Sequence, residues 1–194
     1  GGGGCGLKMT FQIALIEKTD EKYRPSDIKR EREVVGRCLD ECYPIVSDWD
    51  TPLAYQHPIR LSLQGIEIPV IGFIDLRYPD VVRELKSSAR PRAGIVDDHA
   101  FQVATYAMAI RQESGAWPQA FVDYLTPSGM KSYQLKNGKR WVQEVVDTAA
   151  SIRALLERAE DKDALCELIT PDYSNWLWRY RPNSLATAKE LFGE

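Results

Sequence analysis

Hydrophobic and polar positions change period several times along the chain, and each change predicts an element. Leu7, Phe11, Ala14 and Leu15 recur at helical spacing, which predicts a helix over 7–19. A second helix is predicted from Pro25 to about Val46, with Ser26 as N-cap and Val34, Val35, Cys38, Leu39 and Cys42 as its inner stripe. The run Asp48-Trp49-Asp50-Thr51-Pro52 breaks that helix, and the pattern turns to strands. Residues 55–63 and 66–76 read as a hairpin turning near Gln64-Gly65, and 81–87 as a third strand after the turn signal Tyr78-Pro79-Asp80. Gly72, without a side chain, marks a bend or a close backbone approach. A helix over 99–114 follows, with Asp97 or Asp98 as N-cap and Phe101, Ala104, Ala107 and Met108 available to pack on the sheet. Residues 120–125 and 131–135 pair across Thr126-Pro127-Ser128-Gly129. A long helix over 141–158 then carries Trp141, Val145, Ala149, Ile152, Leu155 and Leu156 inward.

The order helix, three strands, helix, two strands, helix, preceded by the helix over 7–19, predicts an α/β fold with a mixed central sheet flanked by helices. At 194 residues and 44% hydrophobic content the chain suits a single domain over 1–194. Within it, 7–50 supply N-terminal helices, 55–136 the core, and 138–194 a helix and an aromatic, basic tail. The opening GGGGCG reads as an expression remnant or an incompletely assigned segment and is left out of fold reasoning. There is no repeat of 20–50 residues, no apolar run of membrane-spanning length and no visible signal peptide, so a soluble cytoplasmic protein is expected. A net charge of −3 offers no global basic footprint, although local basic segments can still follow a phosphate backbone. The cysteines Cys5, Cys38, Cys42 and Cys166 are too few and irregular for a disulfide framework. Cys38 and Cys42 sit among Val34, Val35 and Leu39, which favours core packing.

The chemistry concentrates in 68–106. A strand's period of two puts Glu84 and Lys86 on one face, with Leu85 turned away. Antiparallel pairing through the Tyr78-Pro79-Asp80 turn lays Asp75 beside Glu84. Two adjacent carboxylates repel unless a cation joins them. A hard divalent ion, Mg²⁺ or Mn²⁺, suits such a pair because it accepts one or two carboxylates and leaves its other positions to water and phosphate. The ammonium of Lys86 can orient a water and stabilise charge on a phosphorane-like transition state. Gln102 and Tyr106 fall one helical turn apart on the next helix, either as satisfied half-buried polar groups or as part of the site.

The ordered set Gly72-x-x-Asp75, Glu84-Leu85-Lys86 and Gln102-x-x-x-Tyr106 resembles the PD-(D/E)XK nuclease superfamily in its RecB-like branch, which includes phage exonucleases and CRISPR spacer-acquisition nucleases. The likeness covers about residues 56–124. It implies a restriction-endonuclease-like core in αβββαββα order and a metal-dependent deoxyribonuclease, most simply an exonuclease of repair, recombination or phage replication in a prokaryotic or phage-infected cell. It further implies metal held by Asp75, Glu84 and the backbone carbonyl of Leu85, a catalytic Lys86, and Gln102 and Tyr106 beside the site, with DNA as partner; an oligomer is possible but not predicted. Relatives often carry a His or Glu on an early helix. No His is present here and Glu17 is the only acid on that helix; the missing His suggests that the natural chain starts earlier or that this member works without it. Some relatives hold a four-Cys iron–sulfur cluster with one Cys before the core and three after; here the order is three and one, so a cluster is not expected.

Several residues keep two readings. Arg90 and Arg92, in the loop after the Glu84 strand, can clamp phosphates or be solvated, and so can Lys29, Arg30 and Arg32. His57 can carry a proton or be structural, and His99 can line the entrance or sit on the surface. In the tail, Tyr173, Trp176, Trp178 and Tyr180 with Arg179 and Arg181 can stack on bases or staple the segment down. Two rival functions stand beside the exonuclease: a spacer-acquisition-type nuclease, and a non-catalytic DNA-binding or assembly module on the same fold.

Overall fold

A computed structural model describes residues 25–175, 177–178 and 181–193. The helix expected over 7–19, with Glu17, and the tail residues Trp176, Arg179 and Tyr180 lie outside them. The elements are α1 (Pro25–Ser47), β1 (Ala54–Leu61), β2 (Val70–Arg77), β3 (Val81–Ser87), α2 (Asp97–Ser114), β4 (Gln119–Thr126), β5 (Gly129–Gln134), α3 (Gly138–Glu157), α4 (Lys162–Leu168) and α5 (Pro182–Phe192). Two compact units form, one over 34–152 and one combining the residues before 34 with those after 152, so the division falls inside α1 and α3. Among the described residues no helix is long and apolar enough to cross a membrane.

The first unit is built on one five-stranded sheet in the order β1-β2-β3-β4-β5. Its hairpins β1–β2, β2–β3 and β4–β5 pair antiparallel, while β3 and β4 are parallel. A parallel pair needs a crossover, which α2 provides. Alanine is what lets α2 lie close: Ala100, Ala104, Ala107 and Ala109 are buried on it together with Val103 and Ile110. Ile59, Leu61, Ile74, Val82, Val122 and Tyr124 complete the core beneath. Trp141 and Val145 of α3 close a second cluster on Ala100 and Ala104. Gly115 ends α2 in the left-handed region at φ 80°, its N–H donating to the Arg111 carbonyl, a conformation that favours glycine.

The structure corrects four expectations. β2 begins at Val70, because residues 66–69 belong to a loop in which Ile66 N–H donates to the Leu63 carbonyl. Neither Asp97 nor Asp98 caps α2; Val96 is the N-cap and both acids occupy the first turn, where their negative charge complements the positive end of the helix dipole. On α3 only Trp141 and Val145 are buried, while Ile152 and Leu156 are exposed, since the inner stripe outruns the cluster it packs on. Two further helices, α4 and α5, follow α3, where only a tail was expected. Asp161 caps α4 by accepting from Asp163 and Ala164 N–H, and Pro182 opens α5 at a position where its missing N–H costs nothing.

Candidate active site

Asp75, Glu84, Lys86, Gln102 and Tyr106 converge where β2, β3 and α2 meet. The ladder between β2 and β3 holds Leu76 opposite Arg83 and Arg77 opposite Val82. One step further along the same register Asp75 faces Glu84. There a side chain takes over from the backbone: Asp75 Oδ2 accepts from the Leu85 N–H at 2.8 Å. The β2–β3 ladder thus opens where the two acids sit, and the backbone of the Glu-Leu-Lys strand holds the Asp75 carboxylate.

Glu84 is 5% exposed, buried under α2. Its Oε1 accepts from Lys86 Nζ at 2.7 Å and from Gln102 Nε2 at 2.9 Å. Gln102 Nε2 also donates to Tyr106 Oη at 2.7 Å, so the residues spaced one turn apart form a chain ending on Glu84. Oε2 of Glu84 is buried with no hydrogen-bond partner. Such an orphan is costly unless something supplies a positive or protonated neighbour. Burial pushes the Glu84 carboxyl above its ordinary value, the nearby Asp75 charge adds to the rise, and Lys86 pulls against it. Burial likewise raises the Tyr106 phenol. Gly72 makes room for this arrangement: a Cβ there would come within 3.3 Å of the Tyr106 ring, the close approach expected from sequence.

The remaining candidates are placed around this centre or away from it. Arg90 and Arg92 are exposed on a loop pinned by Ser88 Oγ donating to the Arg90 carbonyl and Tyr133 Oη to the Arg92 carbonyl. His57 Nε2 lies 3.6 Å from Glu113 Oε2 rather than beside the carboxylate pair. His99 is half-buried with Nδ1 2.8 Å from Tyr124 Oη, which accepts from the Val96 N–H. Burial and the positive charges of Lys86 and Arg92 lower the His99 pKa, which keeps the ring neutral at pH 7. Cys38 and Cys42 are buried and point their thiols at the Leu125 and Thr126 carbonyls. In the second unit Trp178 Nε1 donates to the Asp172 carbonyl and Tyr173 Oη to the Ala188 carbonyl, which staples these two aromatics to their own segment.

Three features escaped the sequence reading. Gln56 on β1 donates from Nε2 to Asp75 Oδ1 at 2.6 Å, from a backbone at φ 48°. The fully buried Asp123 accepts from Arg83 Nη1 at 2.8 and 2.9 Å, with the Arg83 guanidinium over the Trp49 and Phe121 rings. An acid inside the apolar run Ala-Phe-Val-Asp-Tyr-Leu must be paired, and that was the available signal. The third is the His99–Tyr124 contact. Two clefts of about 620 and 550 Å³ open elsewhere in this unit, one beside Trp49 and Arg83 and one beside Trp117 and Leu135, and neither is lined by Asp75 or Glu84.

No protein-family model matches the chain, and no curated protein matches it. Among solved structures it is similar to the crystal structure of a provisionally assigned exonuclease from Eubacterium rectale, with a TM-score of 0.55 and 17% identity over 90% of this chain and 67% of that one. It also overlays SSO0001, with a TM-score of 0.42 and 16% identity over 77% of this chain and 72% of that one. Likeness to the first of these speaks to the fold: the five-stranded mixed sheet with flanking helices is nuclease-like.

Proposed function

We propose that the protein is a metal-dependent deoxyribonuclease of the PD-(D/E)XK type, RecB-like branch, which hydrolyses phosphodiester bonds in DNA as an exonuclease. The observation that carries this reading is the buried, unpartnered Oε2 of Glu84 beside Asp75, with an ammonium 2.7 Å from the other oxygen. Two acids facing one another under a helix are unfavourable unless a cation lies between them. Asp75 Oδ1 accepts from Gln56 and Oδ2 from the Leu85 N–H, which leaves each oxygen a second lone pair. Among the described residues no group of three or more His, Cys, Asp or Glu could hold a metal. A pair of carboxylates plus the Leu85 carbonyl suits Mg²⁺ or Mn²⁺, which keep several waters, and does not suit zinc, which takes three or four protein ligands.

When bound, such an ion supplies Lewis-acid stabilisation of charge on the phosphate. The chain's own residues do the rest. Lys86 orients the attacking water and offsets negative charge as the phosphorus becomes five-coordinate. Gln102 holds Glu84 in place, and Tyr106 fixes Gln102 in turn. Arg90 and Arg92, exposed on the loop that leaves β3, meet flanking phosphates.

The test is to incubate end-labelled linear, circular, single-stranded and double-stranded DNA with Mn²⁺ or with EDTA, alongside Glu84→Ala and Lys86→Ala. Cutting of linear DNA from its ends, dependent on Mn²⁺ and lost in both variants, supports the reading. Cutting that survives either substitution refutes it.

A further inference from the structure

Gln56 adopts a conformation that its position in a strand does not call for. On either side of it the β1–β2 ladder is regular, with Tyr55 opposite Leu76 and His57 opposite Ile74, yet Gln56 and Asp75, which that register sets opposite one another, both drop out of the pairing. Its φ is 48°, in the left-handed region that non-glycine residues seldom enter. Nothing in a hairpin strand requires this, and residues held there persist only where the surroundings impose it, typically at functional sites. At this position the side-chain amide donates across the strand pair to Asp75 Oδ1 at 2.6 Å.

With Leu85 N–H on Oδ2, that bond pins both oxygens of Asp75. The chemistry of the donor matters. An Arg or Lys at this place would neutralise Asp75 and compete with a cation, whereas a neutral amide orients the carboxylate while leaving its charge intact. Partners that orient a ligating carboxylate contribute to affinity although they never touch the ion.

We infer that Gln56 is a positioning residue for Asp75, held in a strained backbone so that its amide fixes the carboxylate for a divalent cation; this rests on the metal-dependent reading above. The experiment is Mn²⁺ titration of the full chain by calorimetry, without DNA, on the wild type, Gln56→Ala, Gln56→Gly and Asp75→Asn, with thermal melts of the metal-free proteins. The expected result is wild-type binding that is abolished in Asp75→Asn and weakened about 10-fold or more in both Gln56 variants. Gln56→Gly should melt no lower than the wild type, because glycine accepts the positive φ. Wild-type affinity in both Gln56 variants, with binding still lost in Asp75→Asn, overturns the inference and leaves the metal site standing. A wild type that takes up no Mn²⁺ overturns both.

Discussion

Lys86 Nζ donates to Glu84 Oε1 at 2.7 Å from two residues along the same strand, the pair lying one-quarter and one-fourteenth exposed at their side chains (25% and 7%). The period of two makes this possible, and burial under α2 gives it weight. Lys86→Met retains most of the stem and removes the ammonium. At saturating Mn²⁺ we expect kcat on linear DNA to fall about 100-fold or more, the range for losing a positioned charge or proton-handling group in a transition state. Lys86→Arg should not restore it, since a planar fork cannot replace a compact ammonium. Single-turnover cleavage rates, read beside melting curves that show a folded protein, check this.

The raised Glu84 carboxyl gives a pH signature. Burial outweighs Lys86, so the folded state holds the Glu84 proton more tightly than the unfolded chain. The corresponding stability is fully present below the ordinary value of 4.5 and is lost as pH rises through the higher folded value. Glu84→Gln keeps the shape, removes the charge and lets its amide donate toward Asp75. At neutral pH without metal we expect Glu84→Gln to melt about 2–4 °C above the wild type while being inactive, with the advantage disappearing toward pH 4. Melting curves from pH 4 to 8, with and without Mn²⁺, should show the ion stabilising the wild type only on the alkaline side of that window.

On a separate part of the sheet, Arg83 and Asp123 form a buried pair, with Asp123 at 0% and Arg83 at 19% side-chain exposure. Removing one partner from a buried pair strands the other and costs about 3–5 kcal/mol. Asp123→Ala is therefore expected to lower the melting temperature by roughly 6–20 °C. Activity per folded molecule should be retained at a temperature where the variant is intact. Calorimetry and an active-fraction assay together separate the two effects.

How much of this was legible follows from the range over which each signal acts. Alternation and turn residues are local, and they located β3 at Val81–Ser87 and put Glu84 and Lys86 on one face. The spacing of Gln102 and Tyr106 is local too, and the structure joins them by a hydrogen bond. What the sequence withheld depends on contacts between distant residues. Gln56 is 19 residues from Asp75, and its left-handed backbone has no sequence signature in a non-glycine residue. Arg83 and Asp123 are 40 residues apart and meet only once β3 and β4 lie side by side. The helices α4 and α5 are a different case, because Asp161 and Pro182 were ordinary start signals obscured by the aromatic run between them.

The proposed hydrolysis needs a divalent cation between Asp75 and Glu84, and anomalous diffraction from a crystal grown with Mn²⁺ would reveal it. One strong anomalous peak is expected within bonding distance of both carboxylates, with Glu84 Oε2 among its ligands, and it should disappear in Glu84→Gln. A fully occupied lattice in which Mn²⁺ binds elsewhere or nowhere, with Glu84 Oε2 still without a partner, would contradict it.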